Sequence, residues 1–382
     1  MPKQNNNKFK ACFPHMGNYH VAFKSIAKLL DCEIITPPPI SKKTIELGCK
    51  YSPEFVCIPF KYNLGNYIEA LEKGANVIVQ AGGGCRFGFY GEVQKEILKS
   101  LGYKFEFFKL NNSFNPFVIA KEFQKFNRRA TIPFLLRGFA LAFCQALAIE
   151  KIEDYVRKNI GFEKKEGEME KLFNSFLMEL DKINNFTQIY KTYNKFKINF
   201  HKIKTKKPKK PIRVGLVGEL YVVMEPFSNF EIEKKLGKKG VEIHRFTTVS
   251  NIITSFLFSR KHVKRLMSDA KPYLKYHIGG HGLESVANAH KLARQGFDGL
   301  IHVKPFGCMP EINAMTALHR ISQDYQFPIV YFSFDSLTSE SGVATRLEAF
   351  YDMLIMKRKK YAKNQRIHGG GHRLHFHQSR SH

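Results

Sequence analysis

Three cysteines share a local grammar. Cys57 stands in SPEFVCIPFK (52–61), Cys85 in GGGCRFG (82–88) and Cys308 in PFGCMPE (305–311). Each is set close to Gly or Pro and so belongs to a turn. Cys85 and Cys308 follow the apolar runs Val77–Val79 and Gly299–Val303, which read as strands with helices to come. Thiolates bind iron–sulfur centres and zinc. They form most easily near helix N-termini and cations, and Arg86 adjoins Cys85. Glycines let backbone N–H groups approach sulfur atoms and tune a centre held there. Spacing alone leaves three readings open: an iron–sulfur centre, a zinc site completed by histidine or water, and three small buried thiols. There is no CxxC and no compact ferredoxin run. Of the other cysteines, Cys49 is the candidate fourth ligand. Cys144 lies in an apolar helical run, Cys12 in a strand and Cys32 at a helix end. Seven widely spaced cysteines do not suggest a disulfide framework.

Other chemistry-bearing residues fall in similar turns. Gly279-Gly-His-Gly282 precedes a helix, and His281 reads either as an acid/base or as a capping residue. Phe13–Asn18 carries His15 from a strand into a helix. Gly218–Phe227 places Glu219 and Glu225 beyond another strand, as a carboxylate pair or as helix caps. Gly82–Gly84 lacks the ending of a phosphate loop and does not match GxGxxG, so no ATP site is expected.

These turns need strands and helices to hold them. Residues 8–112 alternate the two: strands at Phe9–Phe13, Glu33–Thr36, Val77–Val79 and Lys104–Phe108, with helical spacing between. The alternation predicts a parallel sheet with helices on both faces. Residues 113–205 read as helical, with Phe134–Val156 and Met169–Phe196 the longest segments. Lys202–Lys210 reads as a basic, solvated connector. A second unit has strands at Ile212–Val217, Val241–Phe246, Gly299–Val303 and Pro328–Phe334. The expected organisation is therefore α/β, with two parallel-sheet domains and a helical insertion between them. Its bounds are 1–112, 113–205 and 206–360, followed by a disordered His-rich tail over 361–382.

A hydrophobic content of 43% excludes a disordered chain. The formal charge of +28 attracts anions, but the lysines are spread along the chain, so no nucleic-acid partner is expected. No run of about 18 apolar residues predicts a membrane span, and MPKQNNNKFK lacks the apolar core of a secretory signal, so a cytoplasmic location is expected.

Eight ordered segments together resemble the 2-hydroxyacyl-CoA dehydratase superfamily, in its branch related to acyl-CoA dehydratase activases. They are FPHMGNYH (13–20), PPPISKKTIELG (37–48), SPEFVCIPFK (52–61), GGGCRFGFYGE (82–92), GELYVVMEPFSN (218–229), GGHGLESV (279–286), PFGCMPEI (305–312) and SGVATRLEAF (341–350). The resemblance spans most of residues 9–355 and is weakest in the middle block. It implies two Rossmann-like or flavodoxin-like domains with a [4Fe–4S] cluster between them, on Cys57, Cys85 and Cys308. It implies a chain that receives a low-potential electron from a separate, homodimeric, ATP-dependent activator and passes it to a CoA thioester or another small molecule. A homo- or hetero-dimer is compatible with this role. His281 and Glu340 are the candidate catalytic residues. The family's acidic loop reads Asp335-Ser-Leu-Thr-Ser-Glu340 here, with Ser336 and Leu337 in place of its acidic and imidazole-type residues. The alternative is a non-catalytic cluster-binding scaffold or partner-binding protein.

Overall fold

The computed structural model describes residues 9–80, 87–110, 115–257 and 259–367. Eight strands form where apolar runs stop at turn residues: β1 (Lys10–Cys12), β2 (Glu33–Ile34), β3 (Val77–Gln80), β4 (Glu106–Lys109), β5 (Ile212–Gly218), β6 (Val241–Arg245), β7 (Gly299–Pro305) and β8 (Ile329–Phe334). They make two four-stranded sheets, ordered β2-β1-β3-β4 and β6-β5-β7-β8. Every pairing is parallel. In each lobe a central strand, β3 or β7, is buried along its whole length. That is why these strands are nearly continuous apolar runs: a parallel sheet is covered on both faces. The α/β class with two parallel sheets is as the sequence predicts.

Two helices of the first lobe cross very closely. Lys42–Tyr51 begins at Ser41, whose hydroxyl accepts the Thr44 N–H in a capping box. Ile58–Glu72 begins after Cys57 with Pro59 in its first turn, where a missing N–H costs nothing. A Cβ on Gly48 would lie 1.9 Å from the Lys61 carbonyl oxygen, and one on Gly65 would lie 1.9 Å from that of Thr44. This crossing fixes the turn that carries Cys57.

Between the sheets the chain is helical: Pro116–Gln124, Ile132–Asn159, Glu168–Leu180 and Phe186–Lys202. Among the described residues of this block, the one strand-like feature is an isolated bridge between Glu163 and Thr205. The stretch Lys202–Lys210 is largely exposed, as a solvated connector should be, but it is tied down at points. Lys206 N–H donates to the Phe162 carbonyl at 2.7 Å, and Lys207 Nζ pairs with Glu242 at 2.7 Å. The amide contact ties it to the helical block and the ion pair ties it to β6 of the second lobe. The segment Ile132–Phe162 is also long and apolar enough, by length and composition, to cross a membrane, although polar residues interrupt its apolar run. In the fold it straps the two lobes together, packing on the helix His20–Ala27 of the first and on β6 of the second.

The strap is anchored by ions. Glu153 accepts from Asn18 Nδ2 at 2.7 Å and Tyr19 Oη at 3.2 Å in the first lobe, and pairs with Arg245 on β6. Arg157, one turn on, pairs with Asp154 at 3.1 Å and Glu233 at 3.1 Å. Burial opposes ionisation of Glu153, but Arg245 and Arg157 outweigh it and hold the carboxyl below its ordinary range. Apolar packing joins the lobes at the same place: the Tyr62 and Tyr221 rings stack 6.1 Å apart, within one buried cluster that draws on both sheets.

Two predictions follow from this packing. Gly65→Ala forces the helices Lys42–Tyr51 and Ile58–Glu72 apart and is expected to cost roughly 1–3 kcal/mol in urea unfolding. Glu153→Gln leaves Arg245 and Arg157 short of a buried counter-ion and is expected to cost about 3–5 kcal/mol near pH 7. The folded-state pKa of Glu153 is depressed, so its contribution is complete above the unfolded value of about 4.3 and is lost as pH falls through the folded value. The wild type should therefore lose more stability than Glu153→Gln on acidification below that point. Equal slopes would contradict this assignment.

Candidate functional site

In a parallel sheet, the loops that leave the strands gather at the carboxyl edge, where ligands collect. His15 follows β1, and Cys57 precedes the helix that returns to β3. In the second lobe Glu219 and Glu225 follow β5, His281 opens the helix Gly282–Arg294 that leads to β7, and Cys308 follows β7. The two carboxyl edges face each other. Glu225 Oε2 accepts the Gly17 N–H at 2.6 Å and lies 2.9 Å from His15 Nδ1. The Tyr221 hydroxyl donates to the His15 carbonyl at 3.1 Å. Gly17 has φ +50°, and a Cβ there would meet the Met224 carbonyl oxygen at 2.5 Å, so the backbone approach across the lobes needs a glycine.

Both carboxylates of the Gly218–Phe227 turn cap helices. Glu219 accepts from the Val222 N–H at 3.0 Å, and Glu225 Oε1 accepts from the Phe227 N–H at 3.3 Å. Burial pushes the Glu219 carboxyl above its ordinary range. Nearby, His281 Nδ1 lies 2.8 Å from Glu284 Oε2, whose other oxygen lies 3.2 Å from His262 Nε2. Burial works against a charged His281, but Glu284, with Glu219 and Glu311 further off, outweighs it and raises the imidazole pKa. Glu284 is held low despite burial, by His281 and His262. One edge thus carries a carboxyl biased towards the neutral acid and an imidazole biased towards its charged form.

A second group lies beside Cys308, which caps the helix Met309–Asp324. Glu311 is buried and its Oε2 takes the Ser285 hydroxyl at 2.9 Å and sits 2.8 Å from His302 Nε2. Glu311 Oε1, His302 Nδ1 and the Tyr331 hydroxyl are buried and have no partner among the described residues. Lys304, 5% exposed at the carboxyl end of β7, senses Cys308 and Glu311, and burial lowers its pKa.

The metal expectation is not upheld. Among the described residues, no group of three or more His, Cys, Asp or Glu side chains is arranged to hold a metal ion. This overturns the [4Fe–4S] cluster, the zinc alternative and the electron-receiving iron–sulfur role that rested on them. Cys85 lies outside the described residues. Cys57 and Cys308 do approach closely enough to sense each other's charge. The surroundings of Cys308 suit a thiol better than a thiolate. Cys57 Sγ is 2.9 Å from the Tyr90 hydroxyl. Burial pushes the Cys308 thiol up to about 12, and a ligand to iron or zinc must be deprotonated. Cys12 is wholly buried, its thiol also pushed up to about 12.

The structure brings His281 to the facing edges, and it sets Glu340, which follows β8, on the exposed rim of the same carboxyl edge. Glu340 opens the helix Glu340–Ile367 with its side chain 68% exposed, paired with Lys235 at 2.5 Å. Sequence reasoning passed over Lys304, His302 and Glu311. The signal was present: His302 and Lys304 interrupt the run Gly299–Pro305 at alternate positions, in a strand that must be buried on both faces. A cavity of about 300 Å³ lined by His290, Lys291 and Arg294 lies at the far end of the helix Gly282–Arg294, roughly 20 Å from His281.

No protein-family model and no curated protein sequence matches the chain. A solved structure described as "crystal structure of SsGBP and GDP complex" aligns with 91% of this chain and 99% of its own, at 10% identity and a TM-score of 0.23, too low to carry an argument about fold or ligand.

The imidazole assignment is testable by NMR titration. His281 is expected to titrate above its ordinary value of about 6.5, and Glu284→Gln to bring it down. A raised folded-state pKa means that charged His281 contributes stability below about pH 6.5 and loses it as pH rises through the folded value. An unchanged His281 titration in Glu284→Gln would refute the pairing.

Proposed function

We propose that the chain is a two-lobed α/β enzyme that binds a small carbonyl-bearing molecule between the facing carboxyl edges and acts on it by acid–base chemistry. The observation that carries this reading is the set of ionisable groups gathered at the carboxyl ends of β5 and β7: Glu219, Lys304 and Glu311, which are buried, and His281 and Glu284, which are half-buried. Burying charge is costly, so groups with opposed pKa shifts at a ligand-binding edge are a functional signal. In this reading Glu219 and His281 supply the acid and base. The sequence resemblance adds support. Five of its segments, 13–20, 52–61, 218–229, 279–286 and 305–312, hold the residues of the two edges, so we place the chain beside the 2-hydroxyacyl-CoA dehydratase superfamily as a two-lobed relative.

The test is binding with defined probes: acetyl-CoA for an acyl thioester, pyruvate and glyoxylate for free carbonyls. At a concentration about 100 times Kd, a ligand of the folded state stabilises it by about 2.7 kcal/mol. At least one probe is expected to raise the Tm and to slow amide exchange in 279–286 and 305–312. Glu219→Gln with His281→Asn should abolish turnover of that probe while the circular dichroism spectrum stays unchanged. If no probe changes either the Tm or the exchange of these segments, the reading fails.

A further inference from the structure

We propose that Lys304 is a Schiff-base lysine, which condenses with an aldehyde or ketone carbonyl, and that Glu311 moves the protons of that condensation. The inference rests on the reading of the facing edges as a ligand site and names the substrate class.

Lys304 is nine-tenths buried, at 5% exposure, and Nζ has no hydrogen-bond or ion-pair partner among the described residues. Burial lowers the pKa of Lys304 and so raises the share of free amine, which is the nucleophile. The side chain is not explained by packing alone. Its strand neighbours Val303 and Pro305 are apolar, and an apolar residue would fill the position without desolvating nitrogen. It lies at the carboxyl end of a central strand, next to Cys308 at the start of the helix Met309–Asp324.

The second observation is independent. Glu311 is 1% exposed, and its Oε2 is fixed by the Ser285 hydroxyl and the His302 ring. Oε1 has no partner among the described residues. Glu311 is bonded to His302, which stands two residues from Lys304 on the same face of β7, so a carboxyl with one oxygen held and the other unused is placed beside the amine to pass a proton. Ser285 and His302 are positioning residues for it.

The step balances without an oxidant or reductant. The neutral Lys304 amine attacks the carbonyl carbon and forms a C–N bond, while the carbonyl oxygen takes a proton from Glu311. The nitrogen of the adduct returns a proton to Glu311 Oε1. The carbinolamine hydroxyl takes that proton and leaves as water, the C=N bond forms as an iminium, and its nitrogen hands its remaining proton back to Glu311. Amine and carbonyl become an imine and one water, with Glu311 restored.

Reductive trapping tests this on the full chain. The protein is incubated with glyoxylate, pyruvate or acetaldehyde and sodium cyanoborohydride, then mapped by peptide mass spectrometry. The expected result is one reduced adduct on Lys304 that forms ahead of modification at exposed lysines. Lys304→Arg should remove it, and Glu311→Gln should slow it roughly 100-fold. The wild-type map decides the matter even if a variant does not fold. Adducts confined to exposed lysines, or none, would overturn the proposal. If a probe raises the Tm without marking Lys304, the Schiff base fails and the ligand site survives; if no probe does either, both fall.

Discussion

Glu225 is the residue on which the arrangement of the two lobes turns. Its carboxylate belongs to the second lobe, yet one oxygen serves the first, taking the Gly17 amide and meeting the His15 ring. The other oxygen caps its own short helix. A buried carboxylate cannot be left unsatisfied cheaply. Satisfying it requires Gly17 in its left-handed conformation and the β1 turn pressed against the β5 turn. The two sheets are thereby held with their carboxyl edges towards each other.

Parallel topology makes that contact consequential. Every loop that leaves a strand in either lobe emerges on the same side, so joining the two edges concentrates the loop residues of both sheets. The strap Ile132–Asn159 holds the contact from outside through Glu153, which reaches Tyr19 and Arg245 in different lobes. Such a buried ionic anchor is specific in geometry, since each partner is costly to bury alone.

The cysteines illustrate the limit of reasoning from turns. Cys57 and Cys308 each cap a helix and approach across the lobes, as their surroundings in the chain suggest. Coordination asks for more than approach. It needs deprotonated donors converging on one point, and among the described residues no such set exists. The Cys308 thiol is kept neutral by burial, while the ionisable groups with strong mutual effects are carboxylates, imidazoles and an amine. The chemical weight of the edge moves from sulfur to Glu219, His281, Lys304 and Glu311.

Local pattern was enough to determine the eight strands, the α/β class and the turns in which Cys57, His281 and Cys308 stand. Apolar periodicity and Gly or Pro stops act over a few residues, and neighbouring side chains carry that information. The same pattern marked the stretch after Lys202 as solvated, which most of it is, but not its anchors on Phe162 and Glu242, which lie far along the chain. The same holds for Glu340, which acquired Lys235 as a surface partner, and for Glu225, which acquired His15. Tertiary structure alone decided which ionisable groups are dehydrated and which neighbours they meet. Desolvation and Coulomb interaction depend on distance in space, and distance along the chain does not encode it.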